Sequence, residues 1–214
     1  MNTIIDGTMK TMPRLHFYPH TRATRARWML EELGLRYDLN DIDLRSGKHK
    51  SDDHLKVHPL GKVPALEIDG AVILESLAIC LYLADRYWEA ELAPVQEERP
   101  ERVRYLSWMA FSCGTLEPAI LEQVRNRKAA DRDMPTIDMG PALTPFDQAA
   151  KYIEQTLAQR PFLLGTTFTA ADIINGSMMI WADGLGLLEG LEKTKAWVGR
   201  LRERPAYQRA MSNE

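Results

Sequence analysis

The stretch from His58 to Ser76 holds the chain's densest set of groups able to bind and orient a ligand. Val63-Pro64 directly precedes Ala65-Leu66-Glu67-Ile68, a short half-alternating run that reads as a strand. Proline has no N–H and accepts a cis bond far more readily than other residues. At the head of a strand it can turn the chain so that the N–H and C=O of Val63 point outward. An open backbone edge of that kind pairs with a peptide-like ligand. Asp69-Gly70 is a hairpin turn signal, and Ala71 to Leu74 reads as the returning strand. Glu75-Ser76 then opens an amphipathic helix, whose first N–H groups and positive dipole end can hold a carboxylate. An exposed edge beside an anion site suits a small peptide with a free carboxylate. Taken singly, Pro64 reads equally as a turn proline and Ser76 as a helix cap.

The elements that must position these groups follow from periodicity. Arg14 to Tyr18 alternates, with Leu15 and Phe17 on one face, and predicts a first strand broken by Pro19-His20-Thr21. From Ala23 the period becomes helical: Ala26, Met29, Leu30 and Leu33 share one face, and Gly34 caps the end. Tyr37 to Leu44 is a second strand candidate, and 45–57 is loop-like with a short helical tendency. The order strand, helix, strand, loop, strand, strand, helix predicts a thioredoxin-like α/β domain over 13–88, its first strand–helix–strand unit parallel. Residues 1–12 are unpatterned and read as a disordered leader. The charged, Pro-containing segment 89–100 reads as a linker.

Beyond it strand signals nearly vanish, and 101–214 reads as all-helical. Glu101 to about Arg127 is one long run with Val103, Leu106, Met109 and Ala110 spaced for one face, and Pro118 predicts a kink or break. Residues 129–145 read as a loop. Thr169-Ala170-Ala171-Asp172 before the apolar run from Ile173 forms a capping box with a structural role.

Composition excludes more than it assigns. A net charge of −3 gives no broad attraction to nucleic acid or anionic membrane, and no apolar run approaches a membrane span. The two cysteines, Cys80 and Cys113, lack the CxxC spacing of a metal or thioredoxin-type redox site. Both fall among apolar residues on predicted helices, so buried thiols and a reducing, cytoplasmic location are expected.

As an ordered set, His58 to Leu66, Glu75-Ser76 and Ala78-Ile79-Cys80-Leu81-Tyr82-Leu83 resemble the glutathione-binding segment of the cytosolic glutathione S-transferase superfamily. The second half adds Arg104-Tyr105-Leu106-x-Trp108, Gly114-Thr115-Leu116-Glu117-Pro118, Phe168 to Ile173 and Arg204-Pro205-Ala206-Tyr207. The resemblance spans residue 14 to about 210. It is of bacterial type and nearest the serine-type, theta- and delta-like classes. It implies the fold of that superfamily: a thioredoxin-like domain followed by a helical one. It also implies a homodimer, and glutathione as co-substrate without a metal. The activity implied is attack of the glutathione thiolate on a hydrophobic electrophile, or reduction of organic peroxides. The alternative is a non-catalytic, glutathione-binding or scaffold member.

The resemblance also implies residue roles. A free thiol of pKa about 8.5 is only a few per cent ionised at neutral pH, so the protein must favour the thiolate. Candidate donors after the first strand are Thr21, Arg22 and Thr24. Serine-type members place the serine four residues before an arginine, and Thr21 stands four before Arg25, so Thr21 is the expected thiolate donor. Threonine keeps the hydroxyl on a stiffer χ1. Arg22 is the second candidate, through its charge, and Tyr18 the third. Ser76 would take the γ-glutamyl carboxylate and Glu75 its ammonium. Val63, ahead of Pro64, would pair with the cysteinyl backbone, and His49 and Lys62 would face the glycyl carboxylate. An electrophile pocket between the domains would draw on Tyr105, Trp108, Met109 and Ser112. Cysteine-type mixed-disulfide chemistry is not expected, because no cysteine stands at or beside position 21.

Overall fold

The computed structural model describes residues 11–131 and 145–212, with side chains described to Asn126 in the first span. Nearly all of the expected leader and most of the 129–145 loop lie outside the described residues. Contacts divide the chain into two compact units, Met1–Glu91 with Arg202–Glu214, and Leu92–Leu201. The C-terminal segment, which sequence order attaches to the helical domain, thus clusters with the α/β unit.

In the first unit the elements are β1 (Arg14–Phe17), α1 (Ala23–Glu32), β2 (Asp38–Asp41), a 3₁₀ turn (Lys48–Lys50), α2 (Asp52–Val57), β3 (Ala65–Ile68), β4 (Ala71–Leu74) and α3 (Ser76–Arg86). The strands form one mixed sheet in the order β2-β1-β3-β4. β1 runs parallel to β2 and antiparallel to β3, and β3 pairs antiparallel with β4. This is a thioredoxin-like layout. The β3–β4 hairpin turns through Asp69 and Gly70, both at positive φ, as a two-residue primed turn requires.

Leu15, Phe17, Ala26, Met29, Leu30, Ile79 and Leu83 form the core of this unit. α1 ends in a Schellman motif. Gly34, at φ +62, donates to Glu31 O, and Leu35 donates back to Leu30 O, both at 3.2 Å. On the far side of the sheet His16 is also buried and meets the ring of His54 on α2. β2 is shorter than the Tyr37–Leu44 run suggests. Leu39 is among the exposed apolar residues, so little burial is available to extend that edge. The final helix α9 (Pro205–Met211) packs on α1. Arg204 there makes a two-pronged bond to Glu32 at 2.6 and 2.7 Å, and Tyr207 stands edge-on to Trp28.

The second unit is helical: α4 (Arg99–Phe111), α5 (Glu117–Asp131), α6 (Phe146–Leu157), α7 (Ala170–Gly184) and α8 (Glu192–Arg202). α4 runs into α5 through a wider π turn, Ser112–Leu116. The irregularity therefore directly precedes Pro118, the second residue of α5, which has no N–H to bond back into that turn.

The expected buried face of α4 is corrected. Val103 and Leu106 are exposed, as is Ala110, and of the four only Met109 is buried. Tyr105, Trp108, Met109 and Ser112 share the other stripe, with larger aromatic area to bury, and they form the packed face. Cys113 is also corrected: it is exposed, because it follows the exposed stripe, whereas Cys80 is buried. The capping box at the head of α7 forms as the spacing predicts. Among the described residues no helix is long and apolar enough to cross a membrane.

Candidate functional site

The sheet register gathers the sequence-predicted residues at one end. Ala65 faces Leu74 and His16 faces Ala65. Both ladders stop at Ala65, so Pro64 and Val63 lie just past the start of β3, at the same end of the sheet where the chain leaves β1 at Tyr18 and leaves β4 for Ser76. The Val63–Pro64 bond is cis. Among the described residues the backbone N–H and C=O of Val63 find no partner, so the predicted open edge is present. Val63 is half-buried and Lys62 exposed.

Ser76 begins α3 and is buried, and its hydroxyl accepts a bond from buried Arg25 Nη1 at 3.3 Å. Glu75 just before it is exposed, at φ +70 and ψ 119. That backbone is strained for a residue with a Cβ, at about 1–3 kcal/mol, and such strain concentrates at ligand sites. Glu75 O nonetheless accepts the first helical bond, from Ile79 N at 3.0 Å. The free N–H groups at the start of α3 therefore flank Ser76.

Thr21 lies two residues before α1 and is half-buried. Its Oγ1 donates to Tyr18 O at 2.7 Å and accepts from Ala23 N at 3.2 Å. The hydroxyl thus stands at the Tyr18 end of the edge that Val63 extends, and its proton is directed to a carbonyl. A hydroxyl rotates about its C–O bond, so donating to a sulfur there means exchanging one acceptor for another. Arg22 is exposed and caps α1 by position without a side-chain cap bond.

At the other end of the stretch, the turn Lys48–Lys50 is brought against the loop 60–62. A Cβ on Gly61, which has φ +57, would lie 2.5 Å from His49 O. Lys50 Nζ donates to Leu60 O at 2.9 Å. His49 and Lys62 therefore come from abutting segments, as two groups serving one carboxylate would. His49 is half-buried, and its Nδ1 is buried without a partner among the described residues.

In the second unit Tyr105, Trp108 and Met109 on α4 and Ser112 at the head of the π turn are all buried. Trp108 stacks on Tyr152 at 4.8 Å, Arg102 lies over the Tyr105 ring at 5.1 Å, and Ser112 Oγ donates to Met109 O at 2.7 Å. The Ser112 hydroxyl is thus taken up inside its own helix.

Sequence reasoning missed Arg25, which ties α1 to Ser76, and His54, whose ring reaches Lys62 O at 2.9 Å. The i,i+4 spacing of His54 and His58 was the available signal. Burial, and then the neighbouring His54, hold the His58 imidazole below its ordinary pKa. Among the described residues no group of three His, Cys, Asp or Glu side chains is placed to hold a metal ion.

Residues 11–85 match the family pattern "Glutathione S-transferase, N-terminal domain". The chain is 33% identical over 174 residues to human glutathione S-transferase theta-2, covering 78% of this chain and 71% of the relative. The chain belongs to the glutathione S-transferase family. It is also similar to GstA of Escherichia coli, with 29% identity covering 94% of this chain and 98% of the relative. Among solved structures, a glutathione transferase of Methylococcus capsulatus superposes with a TM-score of 0.74 and 30% identity, covering 94% of this chain and 97% of that one.

Proposed function

We propose that this chain is a glutathione transferase that lays glutathione along the end of its sheet and presents the thiolate to a hydrophobic electrophile. The observation that carries the reading is the register: Thr21 (through Tyr18), Val63 and Ser76 converge at one sheet end, with His49 and Lys62 beyond. A tripeptide with a carboxylate at each end matches that spacing of groups.

Ser76 and the first N–H groups of α3 take the γ-glutamyl carboxylate, helped by the helix dipole. Glu75 takes the ammonium. Val63, aimed by Pro64, pairs with the cysteinyl backbone. His49 and Lys62 meet the glycyl carboxylate. Thr21 turns its hydroxyl from Tyr18 O to the sulfur, and the start of α1 adds its dipole. Lowering a thiol pKa by about two units takes roughly 2.7 kcal/mol of preference for the thiolate. One charge-assisted hydrogen bond of about 1.5–3 kcal/mol supplies much of that. Arg22 would contribute through its charge.

Tyr105, Trp108, Met109 and Ser112 are proposed as the apolar wall for the electrophile, and reduction of organic peroxides uses the same thiolate. A homodimer is proposed from the exposed apolar stripe Val103, Leu106 and Ala110 on α4, and elution as a monomer overturns it. A cytoplasmic location follows from free thiols and glutathione supply. No specific observation favours a scaffold role.

The deciding experiment is a pH titration of the bound glutathione thiolate absorbance, wild type against Thr21→Ala and Ser76→Ala. Thr21→Ala is expected to bind glutathione with a raised thiol pKa and to lose most turnover with an aryl halide. Ser76→Ala is expected to lose about tenfold or more in affinity. A wild type that binds no glutathione at millimolar concentration ends the reading. Unchanged turnover in Thr21→Ala moves the donor role to Arg22 or Tyr18.

A further inference from the structure

The loop that carries Lys62 and Val63 rests on a buried column of imidazoles. All five histidines of the chain fall between residues 16 and 58. Three of them, His16, His54 and His58, are each only 4% exposed. His16 anchors the column to the sheet. Its Nδ1 accepts from the Asn40 amide on β2 at 3.1 Å, and its Nε2 then carries the proton that it donates to Glu67 on β3 at 2.7 Å. The His54 ring lies against it, centroids 5.6 Å apart, and His58 stacks on His54 at 6.4 Å.

His54 is the member that reaches the binding edge. Its Nε2 is 2.9 Å from Lys62 O. A carbonyl only accepts, so Nε2 bears the proton. Its Nδ1 has no partner among the described residues, so the ring's side-chain hydrogen bonding goes wholly to Lys62. A buried polar ring costs more than an apolar one of the same size unless its bond does something. This bond holds a particular peptide plane. The Lys62 carbonyl and the Val63 N–H belong to one peptide unit, and in a trans unit they point in opposite directions. Only the next bond, Val63–Pro64, is cis. Drawing Lys62 O inward to His54 therefore turns Val63 N–H outward, to the open edge. The loop's other ties lie further back: Lys50 Nζ on Leu60 O at 2.9 Å, and Gly61 N on His58 O at 2.7 Å.

We propose that His54 is a positioning residue for glutathione: through Lys62 O it fixes the peptide plane that aims Val63 N–H at the ligand, and His16 and His58 hold its ring in place. The inference rests on glutathione pairing with Val63 as set out above, and it adds a residue that touches no ligand.

The test compares wild type, His54→Leu and His54→Gln with glutathione varied at saturating aryl halide. Leu removes the donor, and Gln keeps an N–H able to reach Lys62 O. His54→Leu is expected to raise the glutathione KM about tenfold with kcat within about twofold, and His54→Gln to stay within about threefold of wild type in KM. Amide spectra of the free proteins are expected to show the Val63 resonance displaced in the Leu variant and retained in the Gln variant. An unchanged KM in His54→Leu overturns the proposal, as do equal rises in both variants. If His54→Leu does not fold, His54→Asn replaces it; its amide falls short of Lys62, so its KM is expected to rise, and an unchanged value overturns the proposal. A wild type that binds no glutathione by calorimetry sinks the glutathione reading itself. A wild type that binds while His54→Leu keeps its KM sinks only the positioning role.

Discussion

Replacing Asp172 with alanine tests the second unit at its most heavily bonded buried group. Asp172 is wholly buried at the head of α7. One oxygen accepts Leu163 N at 3.0 Å and Trp197 Nε1 at 3.2 Å, and the other accepts Thr169 N at 3.0 Å and Thr169 Oγ1 at 3.3 Å. Alanine would strand three N–H donors, at about 1–3 kcal/mol each. The carboxylate pays for its place, since burial, opposed by those bonds, pushes its pKa from 3.8 up to about 6. At neutral pH that two-unit rise is worth roughly 3 kcal/mol against the charged form, which alanine relieves. Subtracting one from the other leaves a net loss of about 3 kcal/mol for Asp172→Ala at pH 7. The pH dependence has a definite sign. A folded-state pKa raised above the unfolded one means that the native state binds the proton more tightly. The contribution is therefore full below about pH 4 and lost as pH rises through about 6. Relative to alanine, wild type should gain about 1 kcal/mol between pH 7 and pH 5. Urea unfolding followed by far-UV circular dichroism at the two pH values measures both quantities. A loss under about 1 kcal/mol, or a difference that does not grow toward pH 5, would refute the reasoning.

Gly61→Ala should lower stability by about 2 kcal/mol and raise the glutathione KM, because its Cβ would meet His49 O at 2.5 Å in a left-handed backbone; an unchanged melting temperature counts against the packed turn. A disulfide thiol reagent should label one thiol quickly in the native protein and two in urea, since Cys113 is exposed while Cys80 is buried with its pKa pushed up to about 12; fast labelling of both contradicts the packing of α3 on α1. Arg204→Ala should cost about 2 kcal/mol, because it removes both prongs from a Glu32 side chain that is 8% exposed and keeps the bond from Trp28 Nε1 at 2.8 Å; double-mutant cycles with Glu32→Gln would show an interaction term near zero if the pair is ornamental.

How far the chain could be read in advance depended on whether a residue's role was local. The hairpin, the helix start at Ser76, the Gly34 cap and the Thr169–Asp172 box all depend on neighbours within a few positions, and each formed as its spacing predicts. α4 shows where local reading fails. Two stripes along this helical run, 103–106–109–110 and 105–108–109–112, both carry apolar residues, and periodicity does not say which is buried. The decision rests with bulk: the stripe with Tyr105 and Trp108 removes more area from water, and Trp108 gains stacking on Tyr152, a residue far along the chain. Cys113, expected to be buried because it falls among apolar residues, lies on the exposed side of the same run.

The binding end shows the same division. Val63, Pro64, Glu75 and Ser76 stood out as a set because their order in the chain mirrors their order along one hairpin. Arg25 and His54 did not, because each bonds to a group 51 or 8 residues away, Ser76 Oγ and Lys62 O. A histidine at position 54 or 58 looks like a surface residue of a short helix until the sheet brings His16 beneath it. The residues proposed to touch glutathione thus lie in a contiguous motif. The residues proposed to aim those groups are dispersed, and folding alone makes them neighbours. A variant that keeps the whole 58–76 stretch but loses His54 is therefore the sharper test of how this edge works, since the stretch itself would predict no change.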